Sequence, residues 1–259
     1  MAVVKAKKNL GQHFLTDQSI ARKIVGSLSP NCSNVMEIGP GMGVLTQYLF
    51  ENNQLQTLAI DVDRESVAYL QEHFPAQKEQ IIQGDFLRQN LSGIFNDQPF
   101  SLIGNLPYNI SSQIFFKVLE HKNTIPEVVC MIQKEVAERI ASKPGSKAYG
   151  ILSVLLQAYY NIEYLFTVHE HVFQPPPKVK SAVIKLSRNE VQNLGCNEVL
   201  FKQLIKAAFN QRRKMMRNSL KSFFTEPGVD YPYLEQRPEQ LSVAQFIELT
   251  NAVENPKNI

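Results

Sequence analysis

The stretch Val35-Met36-Glu37-Ile38-Gly39-Pro40-Gly41-Met42-Gly43 decides the fold. A mainly apolar run passes directly into three closely spaced glycines, and an apolar-periodic segment, 44–51, follows. A strand turning through glycines into a helix reads as the first βα unit of an open α/β sheet. Outward from this turn, 58–60, 80–82, 100–103 and 128–132 are further short strand-like runs. Segments 64–73, 110–120 and 134–141 lie among them and carry apolar residues at three-to-four spacing. This alternation predicts a doubly wound, mainly parallel sheet. After a further helical segment, 149–160, come two more strand-like runs, 162–168 and 181–186. The turn-rich Gln174-Pro175-Pro176-Pro177 between them is too short for a crossover helix, so an antiparallel edge is expected. Beyond residue 197 the strand pattern stops. There 200–210, 212–224 and 242–253 read as helices, broken at Pro227-Gly228 and over 232–238. The expected fold is α/β: a Rossmann-like domain over 1–189, its first 33 residues covering the site, and a small all-helical domain over 190–259.

Composition limits the function. The chain has 259 residues, 44% of them apolar and 20% charged, enough to bury a core. No run approaches the roughly 18 apolar residues of a membrane span. The N-terminal lysines precede no apolar segment, so no secretory signal and a cytoplasmic location are expected. Cys32, Cys130 and Cys196 are too scattered for a disulfide framework or a zinc site, and no metal is expected. The net charge of +3 conceals two acid-free windows, 172–189 and 199–221, which together hold eleven lysines and arginines. That distribution points to a polyanion. With 212–224 as one helix, Arg213, Arg217 and Lys221 form a basic stripe, and Met216, Leu220 and Phe223 an apolar one. Together with Lys178, Lys180, Arg212 and Lys214 that stripe is the candidate surface for a polyanion's phosphates, giving affinity but little sequence discrimination.

The glycine turn serves several nucleotide-like ligands. Glu37 stands where a diphosphate would have to bind, which argues against a dinucleotide and for S-adenosylmethionine. Gly39 and Gly41 let the backbone approach such a ligand. Asp61, at the end of the second strand, is placed to accept the ribose hydroxyls. Asp85, after the third, is placed to accept from the adenine amino group, with Phe86 flanking the ring. All lie at the C-terminal ends of successive strands, where open α/β sheets bind ligands.

The fourth strand ends in Gly104-Asn105-Leu106-Pro107-Tyr108. Adenine N6 is a poor nucleophile because its lone pair is delocalised into the ring. Two fixed acceptors, the Asn105 side-chain oxygen and the Leu106 carbonyl, would favour sp3 character and aim that lone pair at a methyl donor. Pro107 stiffens the turn and Tyr108 offers a stacking face. Phe173, before the proline-rich loop, is the candidate for the other face of a base flipped out of its stack. No general base is needed, so catalysis would rest on orientation and preorganised electrostatics.

At this point the chain resembles a known family. The blocks are Lys8 to Leu15 (KNLGQHFL), Glu37 to Gly41, Gly104 to Ser111 (GNLPYNIS), Gln133 to Val136, Ser146 to Gly150 (SKAYG), Phe173 to Val179 and Ala208 to Lys214 (AFNQRRK). Together they resemble the small-subunit ribosomal RNA adenine N6,N6-dimethyltransferases, which are class I S-adenosylmethionine-dependent enzymes. The resemblance implies dimethylation of two adjacent adenosines near the 3′ end of 16S rRNA, late in assembly, on a 30S intermediate, by a monomer. It also implies cofactor contacts from His13, Leu15, Gly39, Asp61, Asp85 and Asn105. His13 stands where Asn is common in that family, and Asp61 where Glu is usual. Two other readings stay open on the residues alone. One is a non-catalytic RNA-binding assembly factor; the other is a methyltransferase for DNA adenine or a protein glutamine amide.

Overall fold

The computed structural model describes residues 4–226 and 228–256. In chain order its elements are β1 (Phe14–Leu15), α1 (Gln18–Val25), β2 (Asn34–Ile38), α2 (Thr46–Glu51), β3 (Gln56–Asp61), α3 (Arg64–His73), β4 (Ile81–Gln83), β5 (Ser101–Asn105) and α4 (Ser111–Glu120). There follow β6 (Glu127–Gln133), α5 (Lys134–Ala141), α6 (Ile151–Gln157), β7 (Tyr160–Val168), β8 (Phe173–Gln174), β9 (Ser181–Arg188), α7 (Glu198–Asn210), α8 (Met216–Ser219) and α9 (Val243–Glu254).

Seven strands form one sheet in the order β4-β3-β2-β5-β6-β9-β7. From β4 to β6 every pairing is parallel, and β9 runs antiparallel to β6, from Glu127 opposite Ser187 to Gln133 opposite Ser181. The order reverses between β2 and β5. At such a switch point the loops diverge and leave a crevice at the C-terminal strand ends. One core against the sheet gathers Ile24, Leu49, Val129, Met131, Val168 and Val183. Each such side chain stabilises the fold by roughly 1.5–3 kcal/mol on burial. At the opposite end of the strands the buried Glu127 carboxylate accepts from Ser29 and Ser101 and pairs with Lys185 at 2.9 Å. That network ties the loop after α1 to β5, β6 and β9.

Two features escaped the sequence reading. Helix α1 begins at Asp17, whose carboxylate accepts from Ser19 N and Ile20 N, a standard N-cap. Ala21 and Ile24 are buried on its inner face. Strand β1 pairs antiparallel with β8, placing Phe14 opposite Gln174 and Leu15 opposite Phe173 in a separate two-stranded sheet. Two residues carry no period-2 pattern, so only tertiary context marks them as strands.

The chain divides into two compact units. The first comprises the residues up to Ala137 and Ile162–Arg188. The second comprises Glu138–Asn161 and the residues from Asn189 onward. Segment 138–161, expected in the first domain, therefore belongs to the helical unit. There α6 packs on α7 and α9, and the buried Tyr149 ring meets Phe209 edge-on. The core of this unit includes Phe201, Leu204, Ile205, Met216, Leu220, Phe246 and Leu249. Asn197 caps α7, and a Ser242–Gln245 capping box starts α9.

The single helix expected over 212–224 does not form. Helix α7 stops at Asn210, Met215 is extended, and α8 spans only Met216–Ser219 before a 3₁₀ turn, Lys221–Phe223. Tertiary bonds replace intrahelical ones: Met216 N donates to Gln236 O and Arg217 N to Leu234 O, at 2.8 and 3.0 Å. Met216 and Leu220 are buried, so the apolar half of the reading holds and the basic helical stripe does not.

Candidate active site

The tip of β5 owes its position to Gly104. A Cβ there would collide with the carbonyl oxygen of Ile38, so β5 can reach past the end of β2 only with glycine at this point. Leu106 N then donates to Met131 O at 3.0 Å, anchoring the turn to β6. The Asn105 Nδ2 donates to the His13 carbonyl at 2.8 Å, which fixes the amide's orientation. Among the described residues, neither Asn105 Oδ1 nor the Leu106 carbonyl accepts a hydrogen bond. Two oxygens at one strand tip are thus left available to a ligand's donors. The Tyr108 hydroxyl lies 2.6 Å from Ser181 Oγ, and its ring stacks on the His13 imidazole at 5.7 Å between centroids. Burial pushes the Tyr108 phenol up, so it remains neutral.

Beside this tip lies the glycine turn. Gly39 and Gly41 have φ of +66° and +56°, a region side chains rarely adopt. Gly39 N donates to Ile60 O, and Gly41 N to Asp61 Oδ2 at 3.2 Å. Asp61 Oδ1 accepts from Asp63 N at 2.8 Å. Beneath the turn Glu37 is 1% exposed and accepts from Thr46 Oγ1 at 2.7 Å. Burial, with the Asp61 carboxylate nearby adding to it, pushes the Glu37 carboxyl up to about 8. Burial likewise raises Asp61. Among the described residues neither forms an ion pair. Glu37 so raised holds its proton at neutral pH, and the desolvated Asp61 carboxylate, without a cation beside it, favours a positively charged ligand and disfavours a diphosphate.

The structure brings most of the expected residues to one place. A slot of about 60 Å³ is lined by His13, Gly39, Gly41, Asp61, Asn105, Leu106, Pro107 and Tyr108. A smaller recess of about 30 Å³ adds Leu15 and Glu37. Glu37 was read from sequence only as excluding a diphosphate. Its place at the end of the strand, two residues before the first glycine, was the signal that it also lines the site.

Three expected contacts are not at the slot. Asp85 closes its own turn, accepting from Leu87 N at 2.9 Å, with Arg88 3.6 Å away. Phe86 is buried under the Lys117 ammonium, which stands 5.1 Å from its ring centroid and donates to three carbonyls of the same loop. Its ring has no open face for a nucleobase. Phe173 is 3% exposed and packs in the core with Leu15 and Val168. The β1–β8 pairing turns that ring inward, so it cannot cap a flipped base in this conformation. In its place an open groove of about 610 Å³ runs past His13, Tyr108, Gln133, Pro175, Lys178 and Val179.

The basic residues separate into two kinds. Lys178, Lys180, Arg213, Lys214 and Lys221 are exposed. Arg212 instead donates to the carbonyls of Ser146 and Lys147 and lies 3.8 Å from Glu239, bracing the helical unit. Arg217 pairs with Glu235 at 2.5 Å.

A sequence model for "Ribosomal RNA adenine dimethylase" matches residues 3–255. The chain belongs to the ribosomal RNA adenine dimethylase family. Among this dimethylase's relatives is the ribosomal RNA small subunit methyltransferase A of Phocaeicola vulgatus, 58% identical over 98% of this chain and 91% of that protein. The protein of the same name from Bacteroides thetaiotaomicron is 58% identical over 98% of this chain and 96% of that one. The fold of the dimethylase is shared with a dimethyladenosine transferase from Plasmodium falciparum (TM-score 0.76, 24% identity, 95% of this chain and 98% of that one). It is also shared with the 23S rRNA methyltransferase ErmE (TM-score 0.67, 24% identity, 92% and 99%). Among the described residues of the dimethylase no helix is long and apolar enough to cross a membrane.

Proposed function

We propose that this dimethylase transfers methyl groups from S-adenosylmethionine to N6 of two adjacent adenosines near the 3′ end of small-subunit rRNA, giving N6,N6-dimethyladenosine. The observation that carries this reading is the pair of unpartnered acceptors, Asn105 Oδ1 and Leu106 O, beside a glycine turn backed by two buried carboxyls. That setting suits a cofactor bearing a sulfonium and an ammonium group. When bound, the cofactor supplies an electrophilic methyl. The chain's residues do the remainder. His13, Leu15, Gly39 and Gly41 line its cradle, and Asp61 holds the ribose. Asp85, whose carboxylate also closes its own turn, is assigned to the adenine amino group.

The target base enters the groove beside Tyr108, where the His13–Tyr108 pair offers a flat wall. Asn105 Oδ1 and Leu106 O each accept one N6–H, localising the lone pair and orienting it. With each transfer N6 gains a methyl and releases one proton to water; after the first, one N–H remains and one acceptor suffices, so the same site serves both methylations. Lys178, Lys180, Arg213, Lys214 and Lys221 contribute phosphate contacts, whose affinity falls with salt. Phosphate contacts carry little sequence information, so specificity comes from the shape of a late 30S assembly intermediate acted on by the monomer in the cytoplasm.

Incubation with methyl-labelled S-adenosylmethionine and either under-methylated small subunits, DNA or a release factor tests this. Label in adenosines of the small subunit is expected. Label only in DNA or protein, or binding to subunits without turnover, would replace the reading with one of its alternatives.

A further inference from the structure

Residues 7–12 form a tight turn over the slot. Leu10 N and Gly11 N donate to Lys7 O and Lys8 O, and Lys7 N donates to Gln12 Oε1 at 2.7 Å. Both ends of the turn converge on the buried Asp63. Lys7 Nζ reaches Asp63 Oδ1 at 2.6 Å and Glu65 at 3.1 Å, while Gln12 Nε2 donates to Asp63 Oδ2 at 3.0 Å. Asp63 does not need these partners to cap α3, since it already accepts from Glu65 N. Its own N–H holds Asp61.

The two edges of this strap are held differently. On one side the backbone is laced to the proline-rich loop: Phe14 and Leu15 pair with β8, and Thr16 N donates to Val172 O. On the other side, among the described residues, the polar contacts of 4–12 with the rest of the unit are those to Asp63 and Glu65. A laced edge is a hinge. An edge held by side chains is a catch.

The space below supports the same reading. The slot measures about 60 Å³, against roughly 300 Å³ at the lower end for small-molecule pockets. Leu10, Gly11 and Gln12 of the strap themselves form one wall of that slot. A ligand as large as a nucleoside can be admitted only if the strap lifts.

We propose that Lys7 and Gln12, acting through Asp63, are positioning residues that latch the strap, and that cofactor exchange requires this latch to open. The proposal rests on the assignment of the slot to S-adenosylmethionine. Closure sets His13 and Leu15 above the glycine turn and keeps Asp61 in place through Asp63. The latch therefore governs rates of entry and exit more than equilibrium affinity.

The test uses the full chain and S-adenosylhomocysteine, with association and dissociation rates measured by surface plasmon resonance. Lys7 is one-third exposed but its partner Asp63 is buried, so the melting temperature of Lys7→Gln is measured alongside. Gln12→Ala and Lys7→Arg, which keep the ion pair, serve as the variants that hold the fold. Loss of this partly buried ion pair opens the strap about threefold to fivefold more often. Lys7→Gln and Gln12→Ala are each expected to raise both rates by that factor while the dissociation constant changes less than twofold. Lys7→Arg restores the original rates. Salt speeds both steps in the unaltered protein but not in Lys7→Gln. Faster dissociation with a matching loss of affinity would make Lys7 an ordinary contact and overturn the latch, as would unchanged rates. No binding by the unaltered protein would instead overturn the cofactor assignment itself, and the latch with it.

Discussion

The Asn105 side chain donates its Nδ2–H to the backbone carbonyl of His13 at 2.8 Å, across 92 residues of sequence. This bond joins the N-terminal strap to the tip of β5 and leaves Asn105 Oδ1 as the acceptor facing the slot. An amide can present an oxygen here only because its nitrogen is occupied elsewhere.

Asn105→Ala is therefore expected to lower kcat by at least about 100-fold, in the range found when a single preorganised transition-state contact is removed. Affinity for S-adenosylhomocysteine should fall less than in Asp61→Ala. Calorimetry beside single-turnover methylation separates the two. Equal loss of binding in both variants would contradict the division of roles.

Glu37 yields a prediction about pH. Its carboxyl is raised from 4.5 to about 8 in the folded protein. Between those values the unfolded chain has released a proton that the folded chain retains. Stability from this group is therefore complete below 4.5 and lost as the pH rises through 8. Glu37→Gln keeps an acceptor for Thr46 and has no charge to desolvate. Its gain over the unaltered protein should be near zero at pH 4 and reach on the order of 5 kcal/mol above pH 8. Urea unfolding at several pH values measures it, and a gain independent of pH would show that Glu37 is not the titrating group.

Gly104→Ala would drive a Cβ into the Ile38 carbonyl oxygen. Backbone cannot yield as a side chain can, so destabilisation of roughly 2 kcal/mol or more is expected. In whatever protein folds, the Asn105 tip is displaced and turnover falls. A melting temperature and activity equal to those of the unaltered protein would refute the close approach of β5 to β2.

The basic tail divides by role. Arg212→Ala removes a brace on the Ser146 and Lys147 carbonyls, so it should lower the melting temperature. Arg213→Ala and Lys214→Ala should leave the melting temperature unchanged and weaken RNA binding uniformly. Each is expected to reduce the magnitude of the slope of log K against log salt by about one. Unequal effects on different RNA sequences would indicate base readout instead.

Much of this was legible from local pattern. A mainly parallel sheet follows from strand and helix periods, and an antiparallel edge from a linker too short to hold a crossover helix. Asn105, Leu106, Gly39, Gly41 and Asp61 were findable because a strand's end and a glycine turn are local events, and the α/β topology then brings such ends together. Phe173 was not, since nothing local says whether an aromatic ring before a proline-rich loop points to solvent or to core; the β1–β8 ladder decides it. The helix expected over 212–224 failed for a related reason. Its apolar spacing was real, but backbone bonds from Met216 and Arg217 to Gln236 and Leu234 compete with intrahelical ones.

Sequence alone thus determined a mainly parallel sheet with an antiparallel edge and the chemical character of the loops at its strand ends, because each depends on residues adjacent in the chain. Tertiary structure alone decided which cations are free, which rings are buried, and that Lys7 and Gln12 close on Asp63. Those outcomes depend on partners dozens of residues distant, whose pairing no short-range periodicity encodes.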